Sequence, residues 1–159
     1  MSTSLDKIHL PDYNQAGESF VQSTQTLFCS NRDFLIQAIN EMALPWKPVH
    51  CQGGYFLMAD ITACRDLIPQ QYLTTHEYEP EDGRPPIGKY PLTMPDGSIP
   101  LDLAFCRWMA VEKGVCMMPN SFFYAPDSPT ISDSYVRLAI CKDRQSTEGA
   151  VERLRIALD

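Results

Sequence analysis

One arginine stands at the centre of an apolar, strand-like run near the C-terminus. The run reads YVRLAIC over residues 135–141, with Arg137 in the middle. If the run is a strand, Val136, Leu138 and Ile140 face one side and Arg137 faces the other. A guanidinium placed there can hold a carboxylate through two parallel hydrogen bonds, which a lysine cannot do. From spacing alone the alternative is a solvated strand face on which the arginine binds nothing.

The other residues that often carry chemistry do not form a complete site. His9, His50 and His76 are isolated from any nucleophile or ligand pattern. The S-x-x-K at Ser4 lacks its companion motifs, and no glycine-rich phosphate loop or nucleophile elbow occurs. Asp60, which ends an apolar run, is predicted to cap a turn. We therefore predict no catalytic residue and no metal site in this chain.

Cysteine usage and net charge limit the class of protein. The six cysteines are scattered without a C-x-x-C pair, so we expect reduced, buried and inert thiols rather than disulfides. The net charge of −7 disfavours nucleic acid and anionic membranes as partners. The sequence has neither an apolar run of about 18 residues nor a signal-peptide pattern. We expect an intracellular protein in the cytoplasm, with the mitochondrion as the alternative for the intact protein.

The spacing of apolar residues predicts an α+β domain of two layers. A long N-terminal helix is expected over residues 15–43, ended by prolines, and a hairpin follows with its turn at Gln52-Gly53-Gly54. The hairpin's second strand, 55–61, is almost continuously apolar, which predicts that both of its faces are covered. Next come a helix ending at Gly114, two short strands, and a closing helix over 146–158. Together these elements predict a mixed small sheet with helices mainly on one face.

The chain divides into three parts by composition. Residues 1–14 are predicted to be a flexible N-terminus, and residues 15–159 one domain. Within this domain, residues 69–100 hold seven of the thirteen prolines and show almost no periodicity. Such a stretch predicts a long surface loop or insertion.

Four segments of the chain resemble the C-terminal small domain of fold-type I aminotransferases, specifically the group of kynurenine aminotransferases and cysteine-S-conjugate β-lyases. The resemblance runs from about residue 15 onward, although residues 69–100 are longer than the group's pattern. The segments are GGYFLMADI (53–61), FCRWMAVEKGVCMMPNSFFY (105–124), YVRLAICKD (135–143) and AVERL (150–154).

The resemblance implies roles for several residues. Arg137 matches the strand arginine that binds the substrate's α-carboxylate in the family. Further positions match residues that line the family's cleft, and Gly54, Tyr55 and Ser121 are the substrate-binding candidates among them. The resemblance also implies an amino acid and a 2-oxo acid as substrates, pyridoxal phosphate as cofactor, and a homodimer. The matched cleft positions are Gly54, Tyr55, Pro119, Ser121, Phe123 and Tyr124.

The chain also departs from the family pattern. The family binds its cofactor through a lysine and an aspartate of a large domain, and none of this chain's five lysines stands in the matching context. We therefore expect a domain that works as part of an intact aminotransferase acting on aromatic or sulfur-containing amino acids, and that is inactive alone. The alternative is a stand-alone module that binds carboxylates or proteins without catalysis.

Overall fold

A computed structural model describes residues 19–74, 94, 98–125 and 128–156. The part described contains three α-helices and four β-strands, with 3-10 turns between them. None of these helices is both long and apolar enough to cross a membrane. In chain order the elements are α1 (Phe20–Glu41), β1 (Lys47–Val49), β2 (Phe56–Asp60), α2 (Leu101–Lys113), β3 (Met118–Pro119), β4 (Tyr135–Ala139) and α3 (Arg144–Arg155).

Helix α1 is the predicted long N-terminal helix. Ser19 caps it: the Ser19 hydroxyl accepts from the Gln22 N–H, and the Gln22 side chain accepts from the Ser19 N–H. The helix ends at Glu41, shortly before Pro45, as the helix-breaking effect of proline requires. It is thus shorter at its C-terminal end than the predicted range of 15–43, and residues 15–18 lie outside the described part.

The four strands form one sheet in the order β1-β2-β4-β3. Every pair of neighbouring strands is antiparallel, so the prediction of a mixed sheet is wrong. Hydrophobic periodicity identifies strands but carries no information on the direction in which they pair. The α+β class and the two-layer arrangement are confirmed.

The sheet is buried on one face. Leu57 and Ala59 of β2, together with Val136 and Leu138 of β4, lie in a core that also contains apolar residues of all three helices. The alternate residues of both strands are only partly buried. The prediction that both faces of the second hairpin strand are covered is therefore wrong, because Phe56, Met58 and Asp60 interrupt the buried pattern.

The last two helices agree closely with the sequence prediction. Helix α2 ends at Gly114, whose φ of 63° provides the expected left-handed stop. Helix α3 begins at Arg144, two residues earlier than predicted, because Asp143 caps it by accepting from the Ser146 N–H at 2.8 Å. It ends at Arg155, before the predicted end at residue 158, and residues 157–159 lie outside the described part.

The prediction of buried thiols holds for part of the set. Cys64 and Cys106 are buried, and burial raises the pKa of the Cys64 thiol to about 11. Cys29, Cys116 and Cys141 are exposed, so the prediction is wrong for these three. An apolar neighbourhood in sequence does not fix the side of an element on which a thiol lies.

Two predicted regions fall mainly outside the described residues. Of the proline-rich stretch 69–100, the structure describes residues 69–74, 94 and 98–100, which include a 3-10 turn at Gln70–Tyr72. The predicted flexible N-terminus, residues 1–14, lies outside the described part altogether.

Candidate functional site

Arg137 lies in the middle of β4 on the open face of the sheet. It is opposite Met58 of β2 on one side and Met118 of β3 on the other. Its neighbours in sequence, Val136 and Leu138, point into the core. The predicted orientation is therefore confirmed, since the alternation of the strand places the guanidinium opposite the aliphatic face.

Two side chains hold the guanidinium of Arg137. Asn120 Oδ1 accepts from both Nε–H and Nη2–H of Arg137, at 3.0 and 2.9 Å. The Phe123 ring lies against the guanidinium plane, with its centroid 3.7 Å from Cζ. A cation stacked on an aromatic face at this distance is stabilised by the ring quadrupole. The two hydrogen bonds therefore fix the direction of the guanidinium within its plane, and the ring contact fixes the plane itself.

These contacts leave one edge of the guanidinium available. Nε–H and the adjacent N–H of Nη2 form the edge that Asn120 occupies. The opposite edge carries Nη1 and the second N–H of Nη2, and the described residues provide no hydrogen-bond partner for Nη1. Two parallel donors on one edge match the two oxygens of a carboxylate. Arg137 therefore presents two parallel N–H donors at this edge.

A buried carboxylate anchors the turn that carries Asn120 and Phe123. Asp102 Oδ2 accepts from the Ser121 N–H at 2.6 Å, and its Oδ1 accepts from the Ser121 hydroxyl and the Leu103 N–H, both at 2.8 Å. Both Asp102 and Ser121 are fully buried. Burial raises the pKa of Asp102, and it outweighs the hydrogen bonds from Ser121 and Leu103, which lower it. We call Asp102 and Ser121 the buried pair.

A second buried side chain ties helix α1 to the end of β4. Asn31 Nδ2 donates to the carbonyls of Ile140 and Lys142, at 3.0 and 2.7 Å. Asn31 and Ile140 are both buried, so the first of these bonds satisfies a carbonyl in the core, while Lys142 lies at the surface. The chain just after β4 is therefore held against the helical layer.

The other predicted site residues lie in different surroundings. The hydroxyl of Ser121 donates to Asp102 within the buried pair. Tyr55 is 64% exposed and packs edge-on against Phe28 of α1, on the helical side of the sheet. It also lies just before β2 and three residues before Met58, which is about 10 Å at strand spacing. Gly54, with φ at 92°, precedes it. The structure thus brings Asn120 and Phe123 to Arg137, but not Gly54 or Tyr55.

The remaining cleft positions and the predicted cap are placed as follows. Pro119 ends β3 beside Val136 of β4, and Tyr124 follows the 3-10 turn Ser121–Phe123 and is partly buried. Asp60 accepts from the Thr62 N–H at 2.8 Å, which confirms that it caps a turn. Among the described residues, no group of three or more histidine, cysteine or acidic side chains could hold a metal ion.

Asn120 and Asp102 were not identified from the sequence. Asn120 stands between two residues that were matched to the family turn, and only its position two residues after Met118 signals that it shares the face of Arg137. Asp102 looks like an ordinary acidic residue in the first turn of a helix, where it is favoured by the helix dipole. Its role depends on Ser121, nineteen positions away, which no local pattern reveals.

The described residues do not by themselves fit a phosphate-bearing cofactor. Open helix N-termini are common phosphate sites. Here Ser19 caps α1 and Asp143 caps α3, while Asp133 and Asp102 accept from the first N–H groups of α2. The lysines of the described part also lack the family context. A cofactor of that kind needs residues beyond those described here.

Comparison with known proteins places this geometry in a family context. No family model matches the chain. Kynurenine–oxoglutarate transaminase 1 of Mus musculus is 29% identical over 142 residues, which cover 89% of this chain and 28% of the relative. Methionine aminotransferase of Escherichia coli is 26% identical over 149 residues, covering 94% of this chain and 29% of that protein. The chain thus spans less than a third of the length of these curated relatives.

Solved structures agree in fold. The chain superposes on an E. coli protein with methionine aminotransferase function at a TM-score of 0.51 and 26% identity, covering 83% of this chain and 25% of that one. Bna3p of Saccharomyces cerevisiae gives a TM-score of 0.58 at 22% identity, which supports the fold alone, over 86% of this chain and 27% of that one. In sequence and in fold, the chain is similar to the C-terminal small domain of fold-type I aminotransferases, as the four segments predicted.

Proposed function

We propose that this chain forms the substrate-carboxylate half of an aminotransferase site, with Arg137 as the clamp. The observation that supports this most strongly is the free edge of the guanidinium, oriented by Asn120 and Phe123 on the open face of the sheet. An α-carboxylate is common to the amino acid and the 2-oxo acid of a transamination. One clamp can therefore serve both half-reactions.

The intact enzyme would transfer the amino group of an aromatic or sulfur-containing amino acid to a 2-oxo acid. Pyridoxal phosphate supplies an electron sink for such chemistry when it is bound. In this proposal the cofactor is held by residues outside this sequence, in a homodimer. The contribution of Arg137 is to fix the carboxylate end of the substrate, which reduces the orientational freedom that the reaction must otherwise overcome.

Binding of a small carboxylate to this chain tests the proposal. A bidentate pair with two charge-assisted hydrogen bonds contributes about 3–6 kcal/mol, and the cost of association reduces this, so we expect a dissociation constant in the millimolar range. We expect pyruvate, titrated to tens of millimolar at constant ionic strength, to shift the Arg137 side-chain NMR signals saturably. Pyruvamide, which lacks the charge, should not shift them.

Arginine variants provide the control for this titration. Arg137→Gln should abolish the response to pyruvate, whereas Arg65→Gln, at an exposed position of a 3-10 turn, should keep it. A response that survives Arg137→Gln would refute the clamp. Added pyridoxal phosphate with L-methionine and pyruvate should give no turnover by this chain alone, and measurable turnover would refute the assignment of half a site.

The second candidate function is a non-catalytic module that binds carboxylates or another protein. It is favoured by the apolar side chains on the open sheet face, where Val49, Met118 and Phe123 are all exposed. An exposed apolar surface on one face of a sheet is typical of an interaction site when its residues are contiguous. Complementation distinguishes the two: with pyridoxal phosphate, L-methionine and pyruvate, a half site should gain turnover when combined with the large domain of an aminotransferase, and a non-catalytic module should not.

A further inference from the structure

Asn120 is the side chain that accepts hydrogen bonds from the guanidinium of Arg137. We propose that Asn120 is a positioning residue which occupies one edge of the guanidinium and thereby selects the Nη1/Nη2 edge for the ligand. This inference rests on the proposed carboxylate clamp. It adds a residue that no match to the family turn singled out.

The hydrogen bonds of Asn120 fix the orientation of the amide. Arginine has no acceptor, so the side facing Arg137 must be Oδ1, and this oxygen takes both Nε–H and Nη2–H. Asn120 is only 5% exposed, so water cannot readily replace it as the acceptor. A free arginine can present either edge to a carboxylate, whereas Arg137 can present only its Nη1/Nη2 edge.

The backbone of Asn120 is itself held in place. Its N–H donates to the Tyr135 carbonyl at 3.2 Å, two residues before Arg137 on β4, and its carbonyl accepts from the Phe123 N–H at 3.1 Å. The next residue, Ser121, is fixed by the hydrogen bonds that its N–H and its hydroxyl donate to Asp102 in the buried pair. Asn120 and Phe123 therefore belong to one hydrogen-bonded turn, in which Asn120 binds the edge of the guanidinium and Phe123 contacts its face.

The role of Asn120 is also one of charge. As a neutral acceptor it orients the guanidinium without cancelling its charge, which stays available to a carboxylate. An aspartate at this position would make the same two contacts but would form an ion pair with Arg137 and repel an incoming anion. The pair Asn120→Ala and Asn120→Asp therefore separates loss of orientation from loss of charge.

Proton exchange at Arg137 Nε–H tests the positioning without any ligand. A hydrogen bond from the charged guanidinium contributes about 1.5 kcal/mol or more, so it should slow exchange at least about tenfold relative to the exposed Arg65. Asn120→Ala should remove this protection, Asn120→Asp should keep it, and Asn40→Ala, at an exposed position of α1, should leave it unchanged. If Arg137 Nε–H of the unmodified chain exchanges as fast as that of Arg65, the inference is overturned.

Pyruvate titration of the same variants tests the consequence for binding. We expect Asn120→Ala to weaken the binding of pyruvate about three- to tenfold and Asn120→Asp to weaken it further. Circular dichroism should show that both variants are folded. Asn120→Asp binding as tightly as the unmodified chain would overturn the inference. Failure of the unmodified chain to bind pyruvate refutes the proposed clamp, while the exchange measurement still decides whether Asn120 orients the arginine.

Discussion

Replacing Asp102 by asparagine should destabilise the domain strongly although the two side chains have the same shape. The carboxylate accepts three hydrogen bonds, two of them from backbone N–H groups of Ser121 and Leu103. An amide has one oxygen, and whichever way it is oriented its NH2 group meets one of those donors. Asp102→Asn therefore leaves a buried N–H without an acceptor and brings two donors together.

The size of the effect follows from these contacts. A hydrogen bond to a charged acceptor contributes about 1.5–3 kcal/mol, and a buried donor left unpaired costs about 1–3 kcal/mol. Because the two contributions overlap, we expect Asp102→Asn to lower the free energy of unfolding by about 3 kcal/mol. For a domain of this length that is a loss of about 6–12 °C in Tm. Ser121→Ala, which removes only the hydroxyl bond to Oδ1, should cost less, about 1 kcal/mol.

Urea unfolding followed by tryptophan fluorescence measures these differences, since Trp46 and Trp108 are both buried. The matched control is Asp66→Asn, at an exposed position of a 3-10 turn, which should change the stability by no more than about 0.5 kcal/mol. An Asp102→Asn variant within about 0.5 kcal/mol of the unmodified chain would refute the reasoning. So would a Ser121→Ala variant that is less stable than Asp102→Asn.

Three further changes test other parts of the structure. Asn31→Ala removes both bonds that tie α1 to the carbonyls after β4, and urea unfolding should show a loss of about 2 kcal/mol; no loss would mean these bonds do not hold the chain after β4. Gly114→Ala places a Cβ at φ 63°, 3.1 Å from Arg153 Nη1, and should cost about 1–2 kcal/mol by thermal unfolding; an unchanged Tm would contradict the strain. The Ser146 hydrogen bonds lower the pKa of Asp143, so its stabilisation is present above the ordinary pKa and is lost as pH falls through the folded one. The stability advantage over Asp143→Asn should therefore shrink between pH 7 and pH 3, and a constant difference would refute it.

The local elements were largely predictable because their signals are local. Apolar spacing, Pro45 and Gly114 located the helices to within a few residues, since periodicity and backbone restrictions act over one or two turns. Alternation along β4 also predicted the face on which Arg137 lies. The resemblance to aminotransferases added the chemical interpretation of that arginine, which spacing left open.

The details of the site depended on contacts between distant parts of the chain. The antiparallel pairing of β4 with both β2 and β3 places Met58 and Met118 beside Arg137, and no strand pattern specifies its own partner. Likewise, the sequence does not reveal that Asn120 takes one edge of the guanidinium or that Asp102 anchors the adjacent turn.

The sequence by itself thus determined the helices, the strand that carries Arg137, and the face to which the guanidinium points. Only the tertiary structure decided which edge of the arginine is free. Hydrogen-bond partners 17 and 19 positions apart are set by how the layers pack, and packing is a property of the whole domain rather than of any segment.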